Sequence, residues 1–283
     1  MYIKENKKIT KASVILVIAI VVGAVFLSGC IGSNESKTKI TIKGSSTVLP
    51  IATLCAEAFM QKNDDITVSV AGGGSSLGIK AVATGEANIG DASREIKQSE
   101  IDQYPDVDFV DHVIALDGVA VIVSEAIYDA GITDLTLEQI KGIYNGTTTN
   151  WKDLDGPDEE IFVNEREEGS GTRDTFMELV DLEETDADSA HTSNSLVKQA
   201  VSGSDVAIGY VGLGYVDDTT PALSIDGISP SSATIKAGTY PISRSLHMYT
   251  DGEATGALKE FIDFVMGSEG QEIVEEEGFI SIL

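Results

Sequence analysis

Along most of this chain, short apolar runs with the alternation of a β-strand pass into segments with helical spacing. The run "KITIKG" (39–44) leads into a helix predicted from Leu49 to about Met60, and "ITVSVAG" (66–72) into one beginning near Ser76. This βαβα order constrains the fold more than any other feature. A strand and its following helix bury their apolar faces together when the strands run parallel and helices cover both faces of the sheet. The expectation is an α/β protein.

Later segments extend the pattern. "LTLEQIKGIYNG" (135–146) predicts a short helix capped by Thr136 and stopped at Gly146, "SLVKQAVSG" (195–203) a helix, and "DVAIGYVGLGYV" (205–216) a buried strand with turns. "DHVIALDGVAVIVSEA" (111–126) is a long apolar run broken at Asp117-Gly118, as expected of a strand that leaves one sheet to enter another; "TYPISRSLHMYT" (239–250) is a second candidate crossing strand. At the C-terminus Ala257, Leu258, Phe261, Ile262 and Val265 form one helical face, and Ser268 is placed to cap the next helix. Cys55 falls inside the apolar pattern of the first helix and reads as core.

Three junctions share a composition. "GSSTVLP" (44–50), "GGGSSLG" (72–78) and "GSGTRDTF" (169–176) each put small hydroxyl residues after a strand and before a helix. Helix N-termini have unpaired backbone N–H groups and carry about half a positive charge, so each is a potential anion seat. One such loop is an ordinary helix cap. Three, with Arg166 just ahead of the third, point to an anion site. Rival motifs are poorer: no Gly-Lys-Ser/Thr follows any loop and none completes G-x-G-x-x-G, which disfavours nucleotides. "GSSLG" (74–78) fits G-x-S-x-G with Ser76 as a hydrolase nucleophile, but its partners would be His191, in a polar acidic loop, or His247, inside a strand. His112, His191 and His247 lack metal-ligand spacing, and Trp151 reads as a packing lid.

The formal net charge of −27 makes nucleic acid and anionic membrane surfaces poor partners. The acidity is spread along the chain, as in a salty habitat where screening suppresses self-repulsion, or as an ordinary acidic surface. A seat built from helix termini, hydroxyls and one arginine balances an anion locally whatever the distant charge.

The N-terminus has basic Lys4, Lys7, Lys8 and Lys11, an apolar run from Val14 to Leu27, and then Ser28-Gly29-Cys30. That is the layout of an export signal (1–29), with Cys30 resembling a lipobox cysteine and 30–38 a lipid-anchored leash; a retained signal anchor is the alternative. Asn34-Glu35-Ser36 and Asn145-Gly146-Thr147 fit the glycosylation acceptor pattern.

At the three loops, and from about Lys39 to the C-terminal "FVMGSEGQEIVEEEGFISIL", the chain resembles the phosphate-binding proteins of high-affinity phosphate ABC transporters, a type II periplasmic-binding-protein family. The most specific element is "REEGSGT" (166–172). The resemblance implies that Arg166 binds phosphate by charge-assisted hydrogen bonds, that Glu168 orients Arg166, and that Ser170, Gly171 and Thr172 donate from hydroxyls and backbone. Thr47 and the Val48 backbone match the first loop of the family, beside Ser46 in support, and Ser75 matches its second. The family places an aspartate where "ANIGDASRE" (87–95) has Ser93; the expectation is that Ser93 contacts the ligand and Asp91 caps or orients the loop, with Asp91 as the alternative acceptor. Two lobes are implied, 39–118 plus 242–283 and 119–241, around a ligand cleft. So are a monomer held outside the cell membrane, inorganic phosphate and ABC permease subunits as partners, no cofactor, no metal and no catalytic residue. Alternatives are a receptor for sulfate, molybdate or tungstate, a serine hydrolase using Ser76, and a surface protein for adhesion or sensing.

Overall fold

The structure, a computed structural model, describes residues 37–283. Cys30, the export signal and nearly all of the leash lie outside the described residues. β1 (Thr38–Ser45) leads to α1 (Leu49–Met60), β2 (Ile66–Gly73) to α2 (Ser75–Ala83), and β3 (Ile89–Ala92) to α3 (Gln98–Gln103). β4 (Phe109–Val123) is followed by α4 (Glu125–Asp129), β5 (Asp134–Leu135) and α5 (Leu137–Tyr144). Next come β6 (Phe162–Arg166), α6 (Gly171–Leu179), β7 (Ser189–His191), α7 (Asn194–Ser202), β8 (Ala207–Gly212), β9 (Ser224–Ile225) and α8 (Ser232–Lys236). β10 (Ser243–Asp251), α9 (Gly256–Met266) and α10 (Ser268–Glu276) complete the chain.

Eight strands hydrogen-bond in the order β2-β1-β3-β10-β4-β8-β6-β7. The fold is α/β as expected, but the sheet is mixed. The βα units pair in parallel, β1 with β2 and β3 and β6 with β7 and β8, whereas β4 and β10 pair antiparallel with each other and with their outer neighbours. The antiparallel pairs join strands far apart in the chain, a distinction that local periodicity does not record.

β4 runs through Asp117-Gly118 without interruption. Residues 109–118 pair with β10 and residues 119–123 with β8, so one strand serves both ends of the sheet. Gly118 packs closely: a Cβ there would stand 2.6 Å from the end of the Ile235 side chain. Two large apolar cores flank the crossing. One gathers Ile42, Ile51, Cys55, Phe59, Ile89, Leu246, Phe261 and Val265; the other gathers Val121, Ile140, Tyr144, Trp151, Phe176, Tyr210 and Ile225, and also takes Ile280. Each fully buried aliphatic or aromatic side chain contributes on the order of 2 kcal/mol.

Local signals held at most helix ends. The Thr136 side chain accepts from the Gln139 N–H and Gly146 has φ +76°, while Trp151 is buried with its indole N–H on the Val206 carbonyl. Ser268 differs: it is the first residue of α10, and Gly267 holds the cap position with no side-chain bond. Among the described residues no helix is long and apolar enough to cross a membrane.

Candidate functional site: a candidate anion seat at three helix N-termini

The three glycine and hydroxyl loops each join a strand to a helix, and backbone bonds tie them together. The Ser46 N–H donates to the Gly73 carbonyl at 3.0 Å, joining the first loop to the second. The Ser76 N–H donates to the Gly169 carbonyl at 3.2 Å, joining the second to the third. Glycine is required at these approaches. At Gly44, with φ +142°, a Cβ would lie 2.1 Å from the Asp91 carbonyl oxygen; at Gly74 it would lie 2.6 Å from that of Gly169.

Convergence of the loops brings five expected residues into one cluster. The Thr47 and Thr172 hydroxyl oxygens are 3.0 Å apart, across 125 positions of sequence. Ser75 Oγ accepts from the Ser93 N–H at 3.0 Å and lies 3.4 Å from Ser93 Oγ. A Cβ on Gly171 would fall 2.3 Å from Ser75 Oγ and 2.6 Å from Ser93 Oγ. Thr47, Ser75, Ser93, Ser170 and Thr172 are all buried. Val48 caps α1 without a side-chain bond, while Ser170 caps α6 by accepting from the Arg173 N–H at 3.3 Å. Among the described residues no protein acceptor meets the backbone N–H groups of Val48, Gly171 and Thr172, so these donors are free for a ligand.

Arg166, the last residue of β6, is 1% exposed. Its Nε donates to the His191 carbonyl at 3.1 Å and its Nη2 to the Thr192 carbonyl at 3.2 Å. Among the described residues it has no carboxylate partner. Burial pushes its pKa down to about 10, with the Arg244 charge adding in the same direction. Arg244 is paired: Nε and Nη2 donate to Asp117 Oδ2 at 2.9 and 2.7 Å, and Nη2 also reaches Thr47 Oγ1 at 3.3 Å. Burial lowers the Arg244 pKa and raises that of Asp117, while their attraction opposes both shifts. The buried site thus holds two guanidinium groups and one paired carboxylate. The unmatched charge is on Arg166.

Arg94 bounds the cluster on another side. It makes a bidentate pair with Glu100 at 2.8 Å on each arm and donates to Ser76 Oγ at 2.9 Å. Its Nε donates to Asp174 on α6 at 2.7 Å, and Lys97 Nζ lies 2.8 Å from the same carboxylate oxygen. Ser76 is therefore engaged by Arg94 and Glu100, its own hydroxyl donating to Glu100 Oε1 at 3.0 Å, and has no histidine partner.

Comparison with known proteins agrees with this architecture. A family model described as a PBP superfamily domain matches residues 32–269. The phosphate-binding protein PstS of Bacillus subtilis (strain 168) is 36% identical over 255 residues, spanning 89% of this chain and 83% of its own length. The chain belongs to the PBP superfamily, among the PstS phosphate-binding proteins. A crystal structure from Clostridium perfringens, of a substrate-binding protein attributed to a phosphate ABC transporter and holding phosphate, superposes with TM-score 0.81 at 38% identity over 87% of this chain and all of that one. An ABC-type phosphate transport receptor from Vibrio cholerae superposes with TM-score 0.70 at 34% identity, over 85% of this chain and 99% of that one.

Three expectations need correction. Glu168 is exposed and forms no ion pair with Arg166, which the His191 and Thr192 carbonyls hold instead. Asp91 does not cap the fourth loop: it lies inside β3, 1% exposed, with Oδ1 unpartnered. His191 ends β7 and is not in an irregular loop. Sequence reading missed Asn194, Arg244 and Asp117. Asn194 opens α7 and donates to Ser46 Oγ and Thr47 Oγ1. A charged residue inside an apolar strand run, as at Asp117, was the available signal.

Proposed function

We propose that the chain is an extracytoplasmic receptor that captures inorganic phosphate between two lobes, 39–118 plus 242–283 and 119–241, and releases it to ABC permease subunits. The ligand undergoes no chemistry, so the protein is not an enzyme. The observation that carries this reading is Arg166, a buried guanidinium with no carboxylate partner among the described residues, at the end of the strand that leads into one of three converging helix N-termini. Phosphate supplies the missing negative charge and enough acceptor oxygens for Thr47, the Val48 N–H, Ser75, Ser93, Ser170, Gly171 and Thr172. The phosphate in the C. perfringens relative and the name of the B. subtilis one support the choice of anion. Two separate apolar cores joined by crossing strands suit closure of one lobe on the other. Lipidation of Cys30 would tether a monomer to the outer face of the membrane.

Calorimetric titration with phosphate, sulfate and molybdate, together with small-angle scattering, tests the reading. One phosphate should bind per chain and reduce the radius of gyration. Absence of phosphate binding, or scattering curves that superpose with and without saturating phosphate, would count against the cleft.

Selectivity is expected to lie at Ser93. Among the described residues its Oγ has one hydrogen-bond neighbour, Ser75 Oγ at 3.4 Å, so it can accept a hydrogen bond from the proton that phosphate carries and sulfate lacks. Ser93→Ala should weaken phosphate binding about tenfold, the worth of one hydrogen bond. Asp91→Asn should leave sulfate rejected. It should also stabilise the empty protein at neutral pH. Burial raises the Asp91 pKa well above its ordinary value, so the stability present below the unfolded pKa is lost as pH rises toward the folded one. Admission of sulfate by Asp91→Asn would make Asp91 the discriminating residue.

Arg94, Lys97 and Asp174 form a latch between the proposed lobes. Asp174→Asn removes that attraction without changing the anion seat. Phosphate release should accelerate roughly tenfold, as expected for losing a largely buried charge pair; an unchanged rate in stopped-flow exchange would show that the latch does not stabilise closure.

A further inference from the structure

The Thr47 hydroxyl is surrounded by donors. Asn194 Nδ2 donates to Thr47 Oγ1 at 2.9 Å, and Arg244 Nη2 does so at 3.3 Å. The Asn194 amide has one orientation, because its Oδ1 accepts the Gly212 N–H at 3.2 Å while Nδ2 also reaches Ser46 Oγ. Arg244 is fixed by its two bonds to Asp117 Oδ2, and Asp117 by the Leu213 N–H on Oδ1 at 3.0 Å.

A hydroxyl oxygen has two lone pairs and one hydrogen. With both lone pairs of Thr47 taken, only its hydrogen is left to give, and the remaining neighbour is Thr172 Oγ1 at 3.0 Å. We infer that Asn194 and Arg244 are positioning residues that lock Thr47 as an obligate hydrogen-bond donor, so that this end of the seat takes only a ligand oxygen with a free lone pair.

The inference rests on the anion-seat reading and adds an orientation to it. Phosphate presents an unprotonated oxygen to Thr47 and carries its proton toward Ser93, whose hydroxyl has no such pair of fixed donors. A ligand that places an O–H or N–H at Thr47 meets the threonine hydrogen head-on and is rejected, at the cost of an unpaired buried donor.

A double-mutant cycle read by phosphate titration tests this. Asn194 is the residue to change, since loss of Arg244 would strand the buried Asp117 carboxylate. Asn194→Ala should weaken binding about tenfold in the native background and less than about twofold once Thr47→Val has removed the hydroxyl. An equal loss in both backgrounds overturns the inference, because Asn194 would then act on the loop and not through the hydroxyl. If Thr47→Val binds phosphate like the native protein, the anion-seat reading at Thr47 fails, and the inference is decided by neutron diffraction from the empty protein. The Thr47 hydroxyl deuterium is expected on the Thr172 side; density toward Asn194 or Arg244 overturns the assignment.

Discussion

Arg166→Ala should weaken phosphate binding by about two to three orders of magnitude and raise the melting temperature of the empty protein. The two effects have one cause. The guanidinium is 1% exposed, has no carboxylate partner among the described residues, and donates to the His191 and Thr192 carbonyls. Burial pushes its pKa down to about 10, and each unit of such a shift corresponds to about 1.4 kcal/mol, so the empty fold holds an unfavourable charge worth a few kcal/mol. Phosphate turns that charge into one half of a buried pair, and truncating one partner of such a pair costs roughly 2–5 kcal/mol of binding. Arg166→Lys should recover part of the affinity, because it restores the charge and not the planar fork. Calorimetry and thermal unfolding of the same samples check both signs. Affinity within threefold of the native value would remove Arg166 from the seat, and a lower melting temperature in the empty Ala variant would show that its two carbonyl bonds outweigh its desolvation.

The α/β class and the three loops were legible because their signals are local. "KITIKG", "ITVSVAG" and "GSGTRDTF" combine a strand or helix pattern with glycine and serine at the junction, and the structure has the junctions where those residues stand. The antiparallel placing of β4 and β10 was not legible, since nothing within 109–123 specifies its neighbour in the sheet. Partners remote in sequence were missed for the same reason. Arg244 meets Asp117 across 127 positions, and Asn194 meets Thr47 across 147, so neither pair forms a motif. Glu168 shows the opposite error. Its place in "REEGSGT" suits a partner for Arg166, but the chain turns through Gly169, with φ +83°, and leaves the carboxylate in solvent.

Gly171→Ala should abolish closure and weaken phosphate binding at least about a hundredfold, although it deletes nothing. Gly171 is the first residue of α6 and does not have a positive φ, so alanine fits the backbone and favours the helix by about 0.5–1 kcal/mol. The damage comes from the opposite side of the seat. The added methyl carbon would stand 2.3 Å from Ser75 Oγ, 2.6 Å from Ser93 Oγ and 3.1 Å from Ser75 Cβ. Ser75 cannot easily rotate away, because its Oγ holds the Ser93 N–H at 3.0 Å and the side chain is fully buried. The third loop must therefore withdraw from the second, which breaks the Ser76 N–H bond to the Gly169 carbonyl and separates Thr172 from Thr47. Thr47, Ser75, Gly171 and Thr172 are proposed phosphate donors, so losing two or three hydrogen bonds to an anion, each worth about 1.5–3 kcal/mol, accounts for the magnitude. The empty variant should melt within a few degrees of the native protein, and its radius of gyration should not fall when phosphate is added. A variant that loses only about tenfold and still contracts would mean that the serine hydroxyls yield to the methyl group, and that close approach at Gly171 does not hold the seat together.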